Sequence, residues 1–216
     1  MAPYAELYRQ AYATLGLDLT ERDGITEQYL SRFERKMKFR LPMALRQYYL
    51  VAGNEEEFND ACSRLLPPAE WYFDSNRLVF MEDDEGAIVW GVDLVKRPPQ
   101  NPPVFCGVNE DTIEWHVDCE QCSVFLTTML YWQGTYGGAM PSIGTVAAPE
   151  QLRERLDAEW SFAGQVTSIR AYSRSSQVVC LAKSDTEWRL FAGASSNSTL
   201  SRIAHELGVK WDKSHY

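Results

Sequence analysis

The stretch Leu41-Pro42-Met43-Ala44-Leu45-Arg46-Gln47-Tyr48-Tyr49-Leu50-Val51-Ala52-Gly53 spells out a complete short helix with both of its ends. Pro42 suits the first turn, where its missing N–H would go unpaired anyway. Gly53 suits a left-handed stop. Leu41, Leu45, Tyr48, Tyr49 and Ala52 recur three and four residues apart and supply one buried stripe.

On the N-terminal side the same period continues. Tyr4, Leu7, Tyr8, Ala11 and Leu15 predict one helix, stopped at Gly16, and Tyr29, Leu30, Phe33 and Met37 predict a second over 26–38. On the C-terminal side, Asn59 is positioned to cap a short helix through Leu66, which Pro67-Pro68 would stop. Then the period falls from 3.6 to 2. Arg77–Met81 and Ala87–Asp93 predict a hairpin across the polar link Glu82-Asp83-Asp84-Glu85-Gly86. Two short strands are expected over Val104–Val108 and Thr112–Val117. A helix is expected over Asp118–Gln133, with Asp118 as cap and Gln121 completing a capping box. Gly134–Ala148 has loop composition. Beyond it the pattern predicts a helix at Pro149–Trp160, a three-strand meander (165–172, 177–183, 187–191) and a helix at Thr199–Leu207 stopped by Gly208. The resulting fold class is α+β, a mixed, mainly antiparallel sheet flanked by helices. The expected division is a core over 1–148 and a C-terminal βββα extension over 149–216, packed on the same core.

Composition limits the function. With 216 residues, 45% hydrophobic and 24% charged, the chain can bury a sizeable core. A net charge of −9 argues against direct, non-specific nucleic-acid binding. No apolar run approaches a membrane span, and Met1–Leu15 lacks the apolar centre of a secretory signal. Five cysteines are an odd number for a disulfide framework, so a reducing cytoplasm is the expected compartment.

The charge is unevenly distributed. Residues 54–122 hold 4 basic and 16 acidic side chains, while residues 1–53 hold 8 and 6 and residues 123–216 hold 9 and 8. The acidic residues include Glu55-Glu56-Glu57, Asp60, Glu82-Asp83-Asp84-Glu85, Glu110, Asp111 and Glu114. Charge runs ordinarily just face water. Their functional alternative is a face that mimics phosphate and steers a basic partner. Affinity would then come from desolvated aromatic anchors, for which Trp71, Tyr72 and Phe73, next to Asp74, are candidates.

Leu-Pro-x-Ala-Leu-x-x-Tyr-Tyr-x-x-x-Gly at 41–53 resembles the helix that identifies the SMI1/KNR4 family of the SUKH superfamily. The hairpin Leu78-Val79-Phe80 to Trp90-Gly91-Val92-Asp93-Leu94, the Pro-containing segment Pro102-Pro103-Val104-Phe105 and the helix Val124-Phe125-Leu126-Thr127-Thr128-Met129-Leu130 follow in the family's order. The resemblance covers roughly 26–133. It implies an α+β fold, no catalytic residues and no cofactor. Bacterial members are mostly immunity proteins that bind toxin domains, often nucleases or nucleic-acid deaminases; fungal members act as scaffolds. The resemblance therefore implies a protein that occludes a cognate, basic toxin domain. The partner residues expected on this reading are Glu82, Asp83, Asp84, Glu85, Glu55, Glu56, Glu57, Trp71, Tyr72 and Asp74. A scaffold protein is the alternative.

Residues that suggest chemistry are few. Cys106, His116, Cys119 and Cys122 offer four ligands of the type zinc prefers, with His-x-x-Cys-x-x-Cys spacing; a zinc-dependent enzyme is the third reading. Against it, Cys122 falls on the apolar face of the predicted helix. The His-x-Glu and Pro-Cys-x-x-Cys pattern of zinc deaminases is missing. The other histidines, His205 and His215, lie in a helix and near the C-terminal end, and no Gly-x-Ser-x-Gly elbow is present. Gly134-Thr135-Tyr136-Gly137-Gly138 lacks the Gly-Lys-Ser/Thr of a phosphate loop.

Overall fold

The computed structural model describes residues 3–183 and 187–215. The described residues form an α+β fold with two antiparallel sheets. The chain divides into two compact units, one of residues 1–9 and 19–126, the other of residues 10–18 and 127–216. The division falls inside helix α1 (Pro3–Thr14) and inside helix α4 (Cys122–Thr135).

In the first unit, α2 (Glu27–Met37) is capped by Thr26, whose hydroxyl accepts from the Tyr29 N–H, and α3 (Met43–Ala52) follows Pro42. Leu45, Tyr48, Tyr49 and Ala52 of α3 are buried as their spacing requires. Gly53 is a correction to expectation. Its φ of −68° is right-handed, so no left-handed stop forms there. The glycine answers a close approach instead: a Cβ would sit 2.6 Å from the Tyr49 carbonyl oxygen and 2.9 Å from the Ile25 side chain.

No helix forms over 59–66. Asn59 is buried, where it accepts from the Tyr48 hydroxyl and donates to the Ala52 carbonyl. Held there, it turns the chain into a strand, β1 (Ser63–Leu65). Both β1 and β2 (Tyr72–Asp74) pair with β3 (Arg77–Asp83) along one edge. The sheet continues through β4 (Ile88–Asp93), β5 (Val104–Val108) and β6 (His116–Cys119). On one face Phe80 and Trp90 pack against Phe125 of α4.

Asp118 does not cap α4. It lies in β6, where its carboxylate accepts from the Trp90 indole N–H at 2.7 Å. Asn101, from the Pro-rich segment, takes over the capping and accepts from the Ser123 N–H at 2.8 Å.

In the second unit, the segment expected as loop contains β7 (Ser142–Ala147). It pairs with β11 (Trp188–Ala194), and the order continues through β10 (Gln177–Lys183), β9 (Ile169–Arg174) and β8 (Ser161–Val166). The expected three-strand meander is thus four strands, with β7 and then β12 (Lys213–His215) added beyond β11. Helices α5 (Glu150–Glu159) and α6 (Asn197–Leu207) cover the sheet through Leu152, Leu156, Leu200 and Ile203, packed with Tyr172, Val179, Leu181 and Leu190. As expected, α6 ends at Gly208, in left-handed backbone (φ 67°).

Candidate protein-interaction site

The β3–β4 turn is built by Asp83. Its carboxylate accepts from the Ile88 N–H at 2.9 Å, and its carbonyl accepts from the Gly86 N–H at 3.0 Å. Asp84 and Glu85, at the tip, are left exposed. Asn109, which follows β5, then fastens the next loop to this tip. Its backbone N–H donates to the Ala87 carbonyl at 2.7 Å and its side-chain amide to the Gly86 carbonyl at 2.9 Å. Glu110 and Asp111 come directly after Asn109 and are exposed as well. Four carboxylates thus gather at one end of the sheet on two loops joined by hydrogen bonds.

Glu82 and Glu55, also of the expected set, are occupied elsewhere. Glu82 faces Arg64 across β1 and β3, with 2.7 Å between guanidinium and carboxylate. Glu55 accepts from the Glu57 and Phe58 N–H groups, and burial pushes its carboxyl above the ordinary range. Glu56 and Glu57 are exposed, on the segment that leads from α3 to β1.

Trp71 is a core residue. It is 7% exposed, and its indole N–H points at the Tyr49 hydroxyl (2.9 Å) and the Leu66 carbonyl (3.0 Å). Its surface is thereby spent on Tyr49, Phe33 and Phe39, so it offers no anchor to a partner. Tyr72 and Asp74 lie on β2, opposite Val79 and Arg77. At about 3.3 Å per residue, the seven residues of β3 separate Asp74 from the Asp83 turn by about 20 Å. Asp74 therefore lies at the opposite end of β3 from the acidic turn, while Tyr72, opposite Val79, lies between the two.

Sequence reasoning missed what surrounds Asp74. Its carboxylate accepts from the Trp115 indole N–H at 2.7 Å. Arg77 lies between rings, 4.1 Å from the Phe105 centroid and 5.5 Å from that of Trp115, and 3.1 Å from the Asp93 carboxylate. No local sequence signal joins these positions, which meet only through strand register.

Cys106 stands opposite His116 across β5 and β6, while the Cys119 thiol donates to the Gln121 carbonyl at 3.4 Å and Cys122 is buried at the start of α4. Burial pushes the Cys106 thiol up to about 12 and raises Cys122 as well. Among the described residues no group of three or more His, Cys, Asp or Glu side chains is arranged to hold a metal ion. No described helix is long and apolar enough to cross a membrane.

This arrangement is suited to recognition: a preformed, exposed carboxylate cluster with no cation paired to it among the described residues can attract a basic surface. Comparison with curated proteins and with solved structures gave no match. Residues 24–128, which hold α2, α3, the first sheet and the acidic turn, match the SMI1 / KNR4 family (SUKH-1), and the chain carries a domain of that family.

Proposed function

We propose that the chain is an immunity-type protein that binds a cognate toxin domain and covers its active site. The observation that carries this reading is the cluster of Asp84, Glu85, Glu110 and Asp111, held together by Asn109, on a domain of a family whose bacterial members are mostly immunity proteins. Such a cluster resembles a run of phosphates in charge. It is suited to the cleft of a basic nuclease or nucleic-acid deaminase, and speeds encounter more than it adds affinity. Occlusion is a binding function, so no catalytic step or cofactor enters it. The cysteines, none of them in a disulfide, fit a reducing cytoplasm.

The test is affinity capture on the full chain from the native cells at low ionic strength, with the bound proteins identified by mass spectrometry. One dominant basic toxin domain in equal stoichiometry supports the reading. Several unrelated host proteins, and no toxin, would replace it with a scaffold.

A further inference from the structure

A second surface of opposite character lies at the other end of β4. This strand starts beside the acidic turn and leaves the sheet through Leu94, Val95 and Lys96, which help to line an open groove of about 910 Å³. The opposite wall comes from residues 31–46, a stretch that holds six basic side chains and one acidic.

The walls are fixed. Lys38 ends α2 in left-handed backbone (φ 58°) and its N–H bonds back to the Arg35 and Glu34 carbonyls. The Glu34 carboxylate accepts from the Leu41 N–H at 2.9 Å. Arg46 reaches from α3 to Glu27 on α2 at 2.6 Å and to Glu34 at 3.4 Å. On the other side Leu94 donates to the Asn76 carbonyl, and Ala44 to the Gln100 carbonyl.

The lining combines apolar surface with unbalanced positive charge. Met43 is 40% exposed and Val95 48%, with Met37 and Leu41 beside them. Arg35, Lys38, Arg40 and Lys96 are exposed in the same groove. The single carboxylate in the lining is Glu34, already engaged by Leu41 and Arg46. On a chain of net charge −9 this concentration of cations on an apolar groove calls for an acidic occupant that also has apolar side chains to bury.

Nucleic acid fits less well. Base stacking needs free aromatic faces. Phe39 is the one aromatic residue in the lining, and it already packs against Phe73 and Trp71. Methionine and aliphatic surfaces suit the side chains of a peptide.

We infer that this groove docks a peptide segment of a protein partner, in which acidic residues flank bulky apolar ones. The inference concerns a surface apart from the acidic loops and stands whether or not those loops meet a toxin. The experiment is selection of a phage-displayed random peptide library on the full chain, followed by anisotropy titration of the selected peptides. The expected result is enrichment of Asp and Glu beside Leu, Phe or Trp. Arg40→Glu with Lys96→Glu, and separately Val95→Asp, should then weaken binding about tenfold or more, while Asp84→Lys with Glu85→Lys leaves it unchanged. All these side chains are exposed, so circular dichroism should show an intact fold in each variant. Selection of no peptide, enrichment without acidic residues, or binding that survives both groove changes overturns the inference. So does displacement of the peptides by a single-stranded DNA oligonucleotide, which would make the groove a nucleic-acid site.

Discussion

Arg64 stands directly opposite Glu82 across β1 and β3, and its guanidinium lies 2.7 Å from that carboxylate and 2.5 Å from Glu70. The first acidic residue of the Glu82–Glu85 run is therefore neutralised within the sheet, and the run offers a partner its last residues only. Glu82→Gln should lower stability by about 0.5–1 kcal/mol in urea unfolding. It should leave the rate of association with a basic partner within about twofold.

Asp84 and Glu85 behave in the opposite sense. Asp84→Lys with Glu85→Lys should leave the unfolding midpoint nearly unchanged, since among the described residues neither side chain is bonded in the turn that Asp83 and Gly86 close. Association with a basic toxin domain should slow by about tenfold at low ionic strength and lose most of its salt dependence. Stopped-flow mixing over a range of salt concentrations reads both. Unchanged kinetics would exclude these loops from the encounter.

Trp71 is predicted to matter for stability alone. Trp71→Phe removes the N–H that bonds the Tyr49 hydroxyl and the Leu66 carbonyl and leaves a gap among Phe33, Phe39 and Tyr49. A loss of about 1–3 kcal/mol is expected in urea unfolding. The rate of partner association should not move.

Asp157 gives the second unit a pH dependence. The Tyr172 hydroxyl at 2.7 Å, then the Arg170 guanidinium at 2.8 Å, hold its carboxyl below its ordinary 3.8. A carboxyl lowered in the folded state adds stability that is present above its unfolded value and lost as pH falls through its folded one. Wild type should therefore exceed Asp157→Asn in unfolding midpoint at neutral pH. The gap should close below about pH 4; a gap that persists at pH 2 would contradict this assignment.

The thiols are predicted to be slow nucleophiles. Burial pushes both Cys62 and Cys106 up to about 12, Cys62 with a further push from Asp84 and Cys106 from Asp118. Alkylation of the native chain by iodoacetamide at pH 8 should be at least about tenfold slower than that of the urea-unfolded chain. Equal rates would mean that these cysteines are open to solvent.

Much of the fold could be read locally. The helix at 43–52 carries a period of 3.6, set by which face is buried, and the β3–β4 hairpin is two runs of strand-forming residues around a polar turn, with four successive residues buried in each strand. The errors arose where a residue's partner lies far along the chain. Asn59 has the chemistry of a helix cap, but its side chain bonds Tyr48 and Ala52. Asp118 likewise could cap, but the Trp90 indole claims it. β7 carries almost no apolar alternation, because Trp211 packs directly on Gly144 and leaves no room for a larger residue. In the candidate site, the exposed turn at Asp84 and Glu85 was legible because a charge run between two strands must face water. The basic groove left a signal too, six cations in residues 31–46, but its other wall comes from residues 94–96 and only the folded chain brings the two together.

The central claim is that this chain neutralises a toxin by binding it. The measurement that bears on it most directly is growth of a sensitive host that expresses the toxin domain captured with this chain, with and without the chain. Full restoration of growth by the wild type, together with weaker protection by Asp84→Lys with Glu85→Lys, is the predicted result. Undiminished killing in cells that hold the folded chain in excess would contradict the account.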